Sequence, residues 1–120
     1  MKLSLFAVLL FLSLNVFAQE EITNCEVTLT KEAFLQKPIP DSCFGLSVDE
    51  IPPKIRSFKI KFRKHPSISL HGNQLNGLGK NYLKMTPVGD YITIFDIKLL
   101  EESNIKPPKS IVIEIVSKKE

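Results

Sequence analysis

Apolar and polar positions alternate along much of this chain. In IRSFKIKFRK, Phe58, Ile60 and Phe62 fall on one side, and Ser57, Lys59, Lys61 and Arg63 on the other. A period of two with that contrast predicts a strand with one face in a core and one in water. CEVTLT sets Val27 and Leu29 against Glu26, Thr28 and Thr30, and SISLHG turns Ile68 and Leu70 inward. CFGLSV reads as a further strand through Phe44, Leu46 and Val48, and IVIEIV as a closing one through Ile111, Ile113 and Ile115. The segment GDYITIFDIK is different. After the turn residues Gly89 and Asp90, it is apolar on both sides through Tyr91, Ile92, Ile94, Phe95 and Ile97. Such a strand is expected inside a sheet, with its second face covered by a helix or a partner.

Proline punctuates the pattern. Pro38 and Pro40 make KEAFLQKPIPDS a loop, with at most a helical turn around Glu32 to Gln36. Pro52–Pro53 and Pro107–Pro108 mark two further linkers. In NQLNGLGKNYLKMTP the period changes, since Leu75, Leu78, Tyr82 and Met85 are spaced as a helix stripe. Asn73 is the expected N-cap and Pro87 the stop. Six or seven short strands and one short helix, without repeated crossover helices, predict a mainly β fold: an antiparallel β-sandwich, with a small barrel as second choice.

The first eighteen residues, MKLSLFAVLLFLSLNVFA, read as a cleavable signal peptide: Lys2, an apolar run of about a dozen residues, then Val16 and Ala18 before the cut. That run is short of the ~20 residues of a membrane span. Residues 19–120 then form a single domain, expected in the periplasm or outside the cell. A formal net charge of +3 is far weaker than the clustered basic footprint of a nucleic-acid binder, so nucleic acid is not indicated. Cys25 and Cys43 are the only cysteines, and export makes a bridge between them the default.

Candidate chemistry is sparse. His65 and His71 lack the ligand count of a zinc site, so no metal and no cofactor is expected. Asp90, Asp96 and Glu114 could converge as paired carboxylates, but turn and strand-end roles explain them more simply. GNQLNGLG lacks the ending of a phosphate loop and is sufficiently explained as a helix start. Lys59, Lys61, Arg63 and Lys64 form a basic stripe. It is either a solvated strand face or a docking face for an acidic partner.

Several segments taken together resemble a known family. SFKIKF, then SISLHGNQL with Gly72, Asn73 and Leu75, then GDYITIFDIK, then IVIEI are similar to the C-terminal extracytoplasmic domain of the gliding-motility protein GldM and its PorM counterpart, over about residues 57–116. The resemblance implies an immunoglobulin-like β fold that binds envelope proteins of the type IX secretion machinery and brings no catalytic residues. These 120 residues do not include the family's long shaft, and the segment with Cys25 and Cys43 does not align with the family's pattern. The expectation is therefore a freestanding, non-enzymatic interaction module. The alternative is a small disulfide-braced secreted enzyme or enzyme inhibitor, with QKPIPDSC as the inhibitory loop.

Overall fold

A computed structural model describes residues 24–101 and 104–118. The expected signal peptide lies outside the described residues. The elements in chain order are β1 (Asn24–Leu29), α1 (Lys31–Gln36), a 3-10 turn (Asp41–Phe44), β2 (Ile55–Phe62), β3 (Ile68–His71), α2 (Gly77–Lys84), β4 (Tyr91–Leu99) and β5 (Ser110–Ile115).

All five described strands belong to one open sheet in the order β1-β5-β4-β2-β3. β2–β3, β2–β4 and β4–β5 are antiparallel, whereas β1 pairs with β5 in parallel. The expected antiparallel, immunoglobulin-like β-sandwich is therefore corrected to a single mixed sheet with two short helices. The physical reason lies in what covers the core. A sandwich needs a second sheet over the apolar face, but here that layer is built from residues between β1 and β2 and between β3 and β4. Phe34 of α1, Ile39, Cys43 and Phe44 of the following turn, and Leu75 and Leu83 of the α2 region are all buried. They pack with Phe58, Ile60, Phe62, Ile92, Ile94, Ile111, Ile113 and Ile115 from the sheet in one cluster.

The parallel pair breaks the rule that sequential strands are neighbours. β1 and β5 are the first and last strands, so the rest of the domain serves as their crossover. Cys25, Val27 and Leu29 stand opposite Ile111, Ile113 and Ile115, on the same face. The Val116 N–H donates to the Leu29 carbonyl at 3.0 Å and carries the pairing past the strand end. The disulfide fastens this edge to the covering layer. It joins Cys25 of β1 to buried Cys43 of the 3-10 turn, with Cα atoms 5.7 Å apart.

CFGLSV is not a strand. Residues 41–44 form the 3-10 turn, and Gly45 then takes a left-handed conformation with φ 63°. Phe44 is buried beneath the turn, while Val48 is left in solvent, so their shared parity marks no common face. The helix stripe is also displaced. α2 is capped by Asn76, whose Oδ1 accepts from the Gly79 N–H at 2.8 Å, and not by Asn73. Its inward face is Leu75, Gly79 and Leu83, flanked by Tyr82, while Leu78 and Met85 are exposed. A glycine at 79 permits this fit, because a Cβ there would lie 3.3–3.4 Å from Asn76 Oδ1 and the Leu75 side chain. α1 is a full helix over Lys31–Gln36, where the sequence allowed at most a helical turn in a loop. Thr30 Oγ1 caps it by accepting from the Ala33 N–H at 3.1 Å.

The dense segment GDYITIFDIK is explained by a bulge. Ser57 stands opposite Lys98 and Lys59 opposite Phe95, so two steps on β2 match three on β4. The extra residue falls at Asp96, which has φ 52°. Ile92, Ile94 and Ile97 therefore all reach the core, and Phe95 stays on the outer face. β4 is indeed interior, between β5 and β2, but the helices cover only one of its faces.

Two outcomes test this packing. Replacing both cysteines by Ala should lower unfolding free energy by about 3 kcal/mol, the value for a closed loop near this size. Ile113→Ala, at a fully buried β5 position, should cost about 2–5 kcal/mol. Urea unfolding followed by circular dichroism measures both.

Candidate functional site: the open sheet face and the Gly45–Lys54 loop

Because the core lies on one side, the other face of the sheet is a surface of its own. Strand register arranges its side chains in rows. One row runs Asn24, Ser110, Phe95, Lys59, Ser69 across all five strands. The next runs Glu26, Val112, Thr93, Lys61, and a third runs Thr28, Glu114, Tyr91. Val112, Thr93 and Phe95 are half-buried, and Tyr91 is 56% exposed. At the β1–β5 end, Glu26, Thr28, Tyr91, Val112 and Glu114 line an open depression of about 570 Å³. This end is acidic and the β2 end is basic.

The expected basic stripe is only partly a stripe. Lys59 and Lys61 project from β2 onto the open face. Lys59 Nζ lies 3.4 Å from Asp96 Oδ2, and Lys98 Nζ lies 3.6 Å from Asp96 Oδ1. Arg63 is held by Asp90, Nη1 to Oδ1 3.1 Å. Lys64 sits after the strand end with φ 72°, in a turn closed by the His65 N–H donating to the Phe62 carbonyl at 3.1 Å. Lys61 Nζ donates to its neighbouring Phe62 carbonyl at 2.9 Å.

The candidate polar groups do not converge. Asp90 pairs with Arg63 at the start of β4, and Asp96 joins two lysines at the bulge. The His65 ring stacks on Tyr82 with centroids 3.9 Å apart, and Tyr82 meets Phe62 edge-on at 5.6 Å. His65 thus pins α2 to the end of β2, while His71 ends β3, exposed. Among the described residues, no group of three or more His, Cys, Asp or Glu side chains could hold a metal ion. In QKPIPDSC, Pro38, Ile39 and Cys43 are buried, so this loop is part of the core cover and does not project as an inhibitory loop would.

Of the residues that do project, the sequence pattern placed Val48 in a strand and did not mark Ile51. Val48 is 98% exposed and Ile51 82% exposed, in the loop from Gly45 to Lys54. Their turn is tied internally. The Ser47 N–H donates to Glu50 Oε1 at 2.8 Å, and the Glu50 N–H donates to the Ser47 carbonyl at 3.1 Å. The base is fixed at both ends. Cys43 is bridged to β1, and the Leu100 N–H donates to the Lys54 carbonyl at 2.8 Å beside β2. The available signal was Pro52–Pro53 directly after Ile51, which stops a strand and stiffens an extended segment.

No family model matches the chain, and no curated protein matches it significantly. The resemblance to the GldM terminal domain therefore rests on its sequence patterns alone, and the immunoglobulin-like fold it implied is not the one observed.

The bulge provides a local test. Asp tolerates a left-handed φ better than a β-branched residue does. Asp96→Val should therefore destabilise by about 1–2 kcal/mol. Asp96→Asn, which keeps the conformational tolerance and removes only exposed ion pairs, should stay within about 1 kcal/mol of the parent. Thermal unfolding of the two variants separates backbone strain from charge.

Proposed function

We propose that this chain is a small disulfide-braced binding protein of the inhibitor kind, which engages another protein through the Gly45–Lys54 loop. The observation that carries the reading is the pair Val48 and Ile51, almost fully solvated on a loop whose two ends are fastened to the fold. Leaving two branched apolar side chains in water forgoes roughly 1.5–3 kcal/mol of burial each. A partner groove would recover that energy. The braced base lowers the entropy lost when the loop docks, which is the physical advantage of a rigid inhibitory loop.

The loop's chemistry narrows the partner. Val48, Asp49, Glu50 and Ile51 present two apolar side chains around two carboxylates. Glu50 already caps the Ser47 N–H, leaving Asp49 as the outward charge. The complementary surface is an apolar groove bordered by a cation. Export would place the partner in the envelope or outside the cell. An envelope partner from the gliding and type IX secretion machinery is the narrower form of this proposal, and it is supported by the sequence resemblance.

The test is capture by crosslinking from envelope and secreted fractions, with a photoreactive group at position 48. A discrete partner should be trapped. The double variant Val48→Ser/Ile51→Ser should weaken its binding by about 100-fold or more, with unfolding free energy unchanged within about 0.5 kcal/mol. Equal binding by the double variant would remove the loop from the account.

A further inference from the structure

The open sheet face carries a charge pattern that the loop proposal does not use. Along the middle row, Glu26 on β1, Val112 on β5, Thr93 on β4 and Lys61 on β2 stand in register, acid at one end and base at the other. Glu114 adds a second carboxylate on the β5 side. Lys59 and Lys98 add cations on the other, with Asp96 between them. The two halves thus carry about two negative and two positive charges, either side of a half-buried apolar centre at Val112 and Phe95.

We propose that this face binds a second copy of the same chain, sheet against sheet, about a two-fold axis parallel to the strands and midway between β4 and β5. That operation exchanges the β1 and β2 positions within each row and leaves the rows aligned. Glu26 of each copy then faces Lys61 of the other, and Val112 faces Thr93. In the neighbouring rows Asn24 faces Lys59, Ser110 faces Phe95, and Glu114 faces the exposed Tyr91. Sheets packed face to face sit about 10 Å apart, within reach of paired Glu and Lys side chains. A two-fold axis across the strands would instead place acid on acid and base on base. Charge complementarity selects the first arrangement.

The interface is isologous, as a closed dimer requires. It is also small. Glu26 and Lys61 are three strand spacings apart, roughly 15 Å, so the patch falls at the low end of specific interfaces and the dimer is weak and salt-sensitive. Each chain contributes one sheet, and the helices remain on the outer sides. The arrangement involves neither Val48 nor Ile51, so it stands or falls separately from the loop's role.

A charge swap tests it. Protein expressed from the full-length sequence should show reversible, concentration-dependent dimerisation by sedimentation velocity, weakened by raising salt from about 50 to about 500 mM. E26K alone and K61E alone should each weaken association by about tenfold or more, through like-charge pairing. An equimolar mixture of the two variants should associate at least as tightly as the parent. Circular dichroism should show both variants folded, since both positions are exposed. If one fails to fold, E26Q or K61Q replaces it and should weaken association to a lesser degree. A parent that stays monomeric to about 1 mM at low salt overturns the proposal. So does dimerisation unaffected by either single reversal, as edge-to-edge pairing of β1 would give, or a mixture that recovers nothing.

Discussion

Ile92, Ile94, Ile111 and Ile113 cannot be buried by the sheet that carries them. Four adjacent β-branched residues on two paired strands create an apolar surface that must be covered from outside, and everything else in the domain follows from how. Among the described residues there is no second sheet to supply. It uses Phe34, Ile39, Phe44, Leu75 and Leu83 from two short helices and a proline-rich segment. Those pieces are individually weak. α1 is six residues and α2 eight, both below the length at which a helix is stable by itself. They persist because they are tied down: α1 by the Thr30 cap, the segment after it by the disulfide, and α2 by the Asn76 cap and by Tyr82 between Phe62 and His65.

Covering one face has two consequences for function. Among the described residues it leaves the other face of the sheet uncovered, with acid and base sorted to opposite ends by strand order. Between the disulfide and β2, Leu46 still packs against the core, and the chain from Ser47 to Ile51 loops outward from there. The open face and the loop are both products of the same packing problem. On the open face, Glu26, Glu114 and Tyr91 border the shallow depression at the β1–β5 end. Each of Asp90, Asp96 and His65 is engaged in holding the scaffold.

Strand periodicity made β1, β2 and β3 legible through a clean contrast between faces, and β5 through its run of Ile111, Ile113 and Ile115. It also placed Phe58, Ile60, Phe62, Ile111, Ile113 and Ile115 on the core side. It failed where one residue disturbs the count. At Asp96 a bulge brings Ile97 to the same face as Ile94, so an alternation reading finds apolar residues on both sides and infers a strand covered twice. After Gly45, a left-handed residue, Leu46 still packs against the core with Phe44, but Val48, of equal parity, stands in solvent. In α2 the spacing Leu75, Leu78, Tyr82, Met85 fits a helix as well as the true face does. Gly79, which lies on the inward side, is invisible to any count of apolar residues. The sheet's topology was beyond local pattern altogether, since a parallel contact between the first and last strands leaves no mark in either. Sequence pattern marked the basic half of the open face, Lys59 and Lys61, but not its acidic half, for a related reason. Glu26 and Lys61 are 35 residues apart in sequence, and only strand order brings them into one row.

The parallel pairing of β1 with β5 is the feature on which the single-sheet account depends most. It closes the core at one edge, positions Cys25 under the covering layer and creates the acidic end of the open face. Nuclear Overhauser contacts between backbone protons of these strands test it directly. With the strands parallel, Cys25, Val27 and Leu29 meet Ile111, Ile113 and Ile115 in that ascending order. Contacts running in the opposite order, or none between the two strands, would contradict it.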